Sequence, residues 1–301
     1  MAHLTAGDIT PIGYIQEETY GTTPTGAYTY YGDICEGGNI TPTDNPNAYV
    51  NWRYGSRRYD PKDHIAQNTE AGFKDVIEAR DVQGWQTIIT NALGTDAGLP
   101  SRTSIFGFYR GAEDQYALKY NGCKTNELKI SADVPGGIIK FEEDVMASYR
   151  DEAVITFPSE PPVSTVPAVQ WQSGMIMDSR TPIYPQSFSI TIKNNLGRAD
   201  MYSASLWKNQ SRALVEGRQE IELEMTLWME DFTTLLEGME AHYASSHSFS
   251  LTLGGGHEVS STQHSLYLYC QNMADGNNTP LVQDKQLQTV RYRAYNMTVS
   301  S

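Results

Sequence analysis

Positive charge is scarce in this chain. Its 301 residues carry 22 Lys and Arg against 36 Asp and Glu, a formal charge of −14. Proteins that grip nucleic acid neutralise phosphates with clustered Lys and Arg, so this balance excludes a tight nucleic-acid binder. Cysteine is nearly absent: Cys35, Cys123 and Cys270 are an odd number at wide spacing, which suits reduced thiols on strands better than a disulfide framework or a zinc site. Long apolar runs are missing too, with no stretch reaching the roughly 18 residues that a membrane helix needs. Met1–Thr10 has neither a basic start nor an apolar centre. The chain is therefore expected to be made and kept in a cytoplasm, and its Asn-x-Ser/Thr triplets, Asn209–Ser211 among them, then carry no glycosylation.

The motifs of common catalysis are also lacking. There is no Gly-x-Ser-x-Gly elbow, no phosphate loop, no His-Glu-x-x-His and no dinucleotide fingerprint after a strand. Gly254–Gly256 reads as a hairpin bend. His242, His247, His257 and His264 match no common ligand spacing and read as loop histidines. Glu142, Glu143 and Asp144 are neighbours, but adjacent strand residues point to opposite faces, so Glu142 and Glu143 cannot act on one substrate, and the run reads as a solvated acidic face. No metal, cofactor or catalytic residue is expected, and the chain is read as a non-enzyme.

What is present is strand. Ile221, Leu223, Met225 and Leu227 alternate with Glu220, Glu222, Glu224 and Thr226, the period of a half-buried strand. Phe188–Ile192, Phe249–Leu253 and Val50–Tyr54 alternate likewise. Helical spacing occurs at two places: Trp85, Ile88, Ile89, Ala92 and Leu93, ended by Gly94, and Phe232, Leu235, Leu236, Met239 and Tyr243, begun by Asp231. Each helix follows a strand and precedes another. Aligning Trp85 with Phe232 sets an offset of 147 residues (232 − 85). Strand Phe73–Val82 then matches Glu220–Leu227, Tyr116–Tyr120 matches Ser265–Cys270, and Ile138–Ala147 matches Leu287–Asn296. Loop Tyr54–Ala71 corresponds to Asn194–Gly217. The expected fold is thus mainly β, with two similar tandem β domains, each with one short flanking helix. The boundaries are an N-terminal arm and first strand region over 1–47, a first domain over 48–156, a Pro-rich linker over 157–167 and a second domain over 168–301. The charge leans to one side: residues 1–160 hold 23 acids and 13 bases, and residues 161–301 hold 13 and 9.

The run Gly13-Tyr-Ile-Gln-Glu-Glu-Thr-Tyr-Gly-Thr-Thr-Pro24 resembles the opening of the tail tube (major tail) proteins of long-tailed bacterial and archaeal viruses. Phe188–Leu196, ending in Asn-Asn-Leu, is similar to a strand of that family, as is Glu216–Leu223 before its short helix. The resemblance implies tail-tube-like β-sandwich or barrel-like domains whose sheets join between subunits to line a channel, with stacked rings forming the virion tail tube, assembled in the host cytoplasm from this protein and other tail proteins. Viral DNA passes through such a channel without specific binding. A doubled chain implies a trimer of two-domain subunits in place of a hexamer. Glu220, Glu222 and Glu224 are then candidates to line the lumen as an acidic, DNA-repelling stripe. Trp85, Ile88, Ile89, Phe232, Leu235 and Leu236 are candidates for the helix core. Tyr54, Arg57, Arg58 and Tyr59 are candidates for a loop between rings or subunits, and Thr5–Asn47 with Tyr54–Ala71 for arms that order when rings stack. Two other readings stay open: another tail ring of the same fold (a terminator or baseplate hub), and a carbohydrate-binding β-sandwich suggested by Trp52, Trp171, Trp207 and Trp228.

Overall fold

The structure, a computed structural model, describes residues 12–30, 41–43, 45–50, 64–78, 82–109, 115–133, 137–151, 155–158, 175–177, 182–199, 213–228, 247–253, 264–272 and 287–300. Its elements run β1 (Ile12–Gln16), β2 (Thr29–Tyr30), β3 (Thr41–Pro42), β4 (Asn45–Val50), β5 (His64–Glu78), α1 (Val82–Leu93), β6 (Arg102–Tyr109), β7 (Gln115–Ala132), β8 (Lys140–Ala147) and β9 (Tyr149–Arg150). There follow β10 (Met175–Met177), β11 (Pro182–Ile183), β12 (Ser187–Lys193), β13 (Gly197–Ala199), β14 (Ala213–Val215), β15 (Glu220–Trp228), β16 (His247–Leu253), β17 (His264–Asn272) and β18 (Leu287–Ser300). The fold is mainly β, and every ladder among the described residues is antiparallel.

One 16-stranded sheet contains all but β13 and β14. Its strand order recurs. Before residue 158 the neighbours run β3 and β4, then β5, β8, β7, β6, β1 and β2; after it they run β12, β15, β18, β17, β16, β10 and β11. The two series meet where β12 pairs with the second half of β7, Phe188 opposite Ala132 through Lys193 opposite Glu127. β7 is long enough to serve both: Gln115–Cys123 pairs with β6 and Lys124–Ser131 with β8. A bulge at Asn121–Gly122 lets it bend between these roles. Gly122 has φ +63°, and a Cβ there would meet Ser148 Cβ at 2.7 Å and the Tyr20 ring at 3.1 Å, so only glycine fits.

Alternation decides the core. Phe188, Ile190 and Ile192 on β12 and Ile221, Leu223, Met225 and Leu227 on β15 are buried, while the residues between them are half-exposed. Phe73, Phe106 and Tyr120 form one aromatic centre with ring centroids 5.0–5.4 Å apart, and Phe249 with Tyr292 at 4.8 Å forms another. Helix α1 lays Ile88, Ile89 and Ala92 on this core. It ends as its sequence predicts, with Gly94 at φ +67° donating its N–H to Thr90 O.

Two expectations need correction. His64–Ala71 is strand, not loop, because its backbone pairs with β4 over Asn45–Val50 and then with β8 from Ala71. Ile12–Tyr30 is not an arm waiting for a neighbouring ring. β1 pairs with β6 along its length and Ile12 is fully buried, so apolar burial within the chain outweighs the turn-rich composition. The second predicted helix and most of the Pro-rich linker lie outside the described residues. Phe157, at the linker's start, is buried against Ile105 and Ala117. Among the described residues no helix is long and apolar enough to cross a membrane.

Candidate functional site

The face of the sheet turned away from the core is polar, and its charges fall in rows fixed by the ladders. One row runs Lys74, Asp144, Glu127, Lys193, Glu220 across five strands. The next runs Glu142, Lys129, Thr191, Glu222, Arg293. A third runs Lys140, Ser131, Ser189, Glu224, Arg291. Each predicted stripe residue therefore stands opposite a cation: Glu220 opposite Lys193, Glu222 opposite Arg293 and Glu224 opposite Arg291. Ion pairs close at Glu224–Arg291 (2.7 Å), Glu142–Lys129 (3.5 Å) and Asp144–Lys74 (3.7 Å). The rows hold six acids (Asp144, Glu127, Glu220, Glu142, Glu222, Glu224) against six bases (Lys74, Lys193, Lys129, Arg293, Lys140, Arg291). This face is close to neutral in a chain of charge −14, and the surplus sits elsewhere, as in residues 1–50, which hold six acids (Asp8, Glu17, Glu18, Asp33, Glu36, Asp44) and neither Lys nor Arg.

The joint between the two strand series is locked by side chains from the Asn194–Gln219 segment. Helix α1 ends with carbonyls that its own turns cannot satisfy. Asn194 Nδ2 donates to Ala92 O and Thr125 O, each at 2.9 Å, and Gln219 Nε2 donates to Leu93 O at 3.0 Å and Asn194 Oδ1 at 2.8 Å. Glu216 accepts from Lys124 Nζ at 2.6 Å and from the Leu99 N–H at 3.0 Å. Arg198 donates to Ala71 O and Ala147 O.

The Gly13–Pro24 run closes a turn over the β7 bulge. Glu17 is buried, and its Oε1 accepts from Thr103 Oγ1 (2.7 Å) and the Gly122 N–H (2.9 Å) while its Oε2 accepts from the Gly21 N–H (2.8 Å). Thr23 donates to Asn121 Oδ1. Tyr20 Oη accepts from the Leu214 N–H at 3.2 Å and its ring lies 5.3 Å from Lys124 Nζ. Burial is the main cause that pushes its phenol up to about 12, so it stays a neutral partner. Through Tyr20 the motif touches the separate β13–β14 hairpin as well as the first strand series.

Beneath the polar face lies an ionic cluster that sequence reasoning missed. Glu143 is not on a solvated face: it points inward between Phe141 and Val145, and only 1% of its side chain and of Arg102's is exposed. Arg102 Nη2 donates to Glu143 Oε1 at 2.6 Å and Nη1 to Thr125 Oγ1 at 3.1 Å. Asp75, opposite Glu143 in the ladder, is also buried. Burial first, and then the Glu143 carboxylate, hold the Asp75 carboxyl well above the usual carboxylate range, against the pull of Arg102. The signal was readable: alternation puts Glu143 on the apolar face with Phe141 and Val145. Burial pushes the neighbouring Cys123 thiol to about 12, which leaves it unreactive.

Of the remaining predicted residues, Ile88 and Ile89 pack into the core. Trp85 lies in α1, while Tyr54, Arg57, Arg58, Tyr59, Phe232, Leu235 and Leu236 lie outside the described residues. Among the described residues no group of three or more His, Cys, Asp and Glu is arranged to hold a metal ion. The family model for the phage tail tube protein matches residues 7–294, nearly the whole chain. No curated protein matches the chain.

Proposed function

We propose, from the premise that the chain belongs to the phage tail tube proteins, that copies of it close into rings and stack into the tube that conducts viral DNA. It is a structural component of the virion tail, and assembly in the host cytoplasm with other tail proteins belongs to the same proposal. The observation that carries the ring reading is the recurrence of the strand order, with its internal joint between β7 and β12. A chain holding two tube domains has already made one of the sheet-to-sheet joints a ring needs. The β3 and β4 edge of one copy, the counterpart of β12, would pair with the β17 end of the next copy. Three chains then close a pseudo-sixfold ring.

In this reading the polar face of β5, β8, β7, β12, β15 and β18 lines the channel. Opposite charges a few ångströms apart cancel each other's field within about a Debye length of ~8 Å. The paired rows favour a wall that neither grips nor strongly repels a phosphate backbone, and they replace the simple acidic stripe as the reason DNA slides. The mass of the soluble oligomer and micrographs of the concentrated protein test the assembly. Three chains per ring and long cylinders are expected. Six chains would sink the doubled-ring reading, and single rings that never stack would make this a terminator or hub ring instead.

The wall has its own test. Glu220→Lys/Glu222→Lys/Glu224→Lys adds six charges per chain (three changes of +2) to a near-neutral face. Tubes of this variant are expected to retain a short DNA duplex at about 50 mM salt and release it above about 200 mM, as counterion release dictates. Parent tubes should retain none. Equal retention by the two would remove this face from the channel wall.

A further inference from the structure

A chain with two strand series of the same order faces a hazard of its own: the series can exchange strands, within one copy or between copies. The ladders β5–β8 and β15–β18 are the counterparts. Their end pairs are Glu78 with Lys140 and Trp228 with Leu287. Three residues in from those ends, Asp75 stands opposite Glu143 in one ladder and Met225 opposite Val290 in the other. One residue further, Lys74 stands opposite Asp144 and Glu224 opposite Arg291. At this position the first ladder has a cation on its earlier strand and an anion on its later one, and the second has the reverse.

We propose that these two positions are a pairing code that keeps the first series from pairing with the second; this rests on the doubled-ring reading. Exchange of β5 onto β18 at the same register would set Lys74 against Arg291 and Asp75 against Val290. Exchange of β15 onto β8 would set Glu224 against Asp144 and Met225 against Glu143. Like charges meet on one face in both exchanges. On the other, exchange of β5 takes the buried Asp75 away from the cluster in which Arg102 bonds Glu143 and Thr125. The other inward pairs discriminate little: Phe73 with Val145 against Leu223 with Tyr292, and Ala71 with Ala147 against Ile221 with Ala294. Specificity is thus carried by repulsion against the wrong partner, with apolar packing serving either pairing.

The test uses full-length chains and a disulfide reporter, Val76→Cys/Thr289→Cys. These positions are five strands apart in the native sheet, about 24 Å at ~4.8 Å per strand, far beyond the ~7 Å a disulfide spans. They would be opposite each other only after exchange. In the parent background oxidation should give no 76–289 disulfide by peptide mass spectrometry. Lys74→Glu/Asp75→Met makes β5 read as β15 does while leaving Arg102 on Glu143, and the 76–289 disulfide is then expected to rise by at least about tenfold, a pairing shift equivalent to ~1.4 kcal/mol. A folded variant with no more disulfide than the parent overturns the code. Should that variant fail to fold, Lys74→Glu alone leaves the core intact; a smaller rise supports the code and no rise overturns it. Rings of three chains with no rise overturn the code alone, whereas rings of six overturn the doubled-ring reading beneath it.

Discussion

Arg102→Met is expected to lower the unfolding free energy by about 3–5 kcal/mol, the range for breaking a buried ion pair by removing one partner. The Arg102 guanidinium is the cation that answers Glu143 at 2.6 Å, and it also holds down the Asp75 carboxyl. Without it a carboxylate stays in an apolar interior between Phe141 and Val145, where desolvation is not repaid. The loss should depend on pH in a defined direction. Asp75 has its folded value raised above the unfolded one of about 3.9. The folded chain therefore holds a proton that the unfolded chain releases, and the resulting stability is full below about pH 4 and drains away as pH rises through the folded value. Removing Arg102 pushes Asp75 higher still, so the variant's deficit should widen as pH is raised above the unfolded value of about 4. Asp75→Asn deletes that titration: it should be at least as stable as the parent at about pH 8 and show a flatter profile. Urea unfolding across this range checks both variants. A deficit under about 1 kcal/mol for Arg102→Met, or a parental slope for Asp75→Asn, would refute the account.

The sequence made the strands legible wherever one face is apolar. β12, β15 and β16 follow from alternation alone, and α1 with its glycine stop follows from spacing and a left-handed cap. It failed where backbone pairing decides. His64–Ala71 has weak alternation, yet it is strand because β4 and β8 supply its hydrogen bonds. The stripe Glu220, Glu222, Glu224 was read as a shared face, and it is one; but charge on a sheet belongs to the row across strands. Lys193, Arg291 and Arg293 are far along the chain and become its partners only through register. The recurring strand order illustrates the same limit from the other side. The ladder ends Lys140 and Leu287 lie 147 residues apart (287 − 140) and Glu78 and Trp228 lie 150 apart (228 − 78), a difference only the ladders reveal.

Glu17→Ala should cost about 3–5 kcal/mol. The Glu17 carboxylate is the acceptor for three donors from three segments: Gly21 in its own turn, Thr103 on β6 and Gly122 at the β7 bulge. Thr103 and Gly122 are buried, so deletion leaves donors out of reach of water, at roughly 1–3 kcal/mol for each. The turn would then detach, and with it Tyr28 and Tyr30, which pack over Ile105, Ala117 and Phe157. Hydrogen exchange should report this as lost protection over Tyr20–Tyr30, while Ile12–Gln16, paired separately with β6, keeps more of its own. Glu17→Gln retains one acceptor of two and should fall between the parent and the alanine variant. Exposed Glu18→Ala is the control and should change neither quantity. If Glu17→Ala left stability within about 1 kcal/mol and protection unchanged, the turn would be held by Thr23–Asn121 and Tyr20–Leu214 instead. If it weakens the turn as expected, the loss should extend to Leu214, whose N–H Tyr20 accepts. The opening motif would then act on the β13–β14 hairpin as well as on the first strand series.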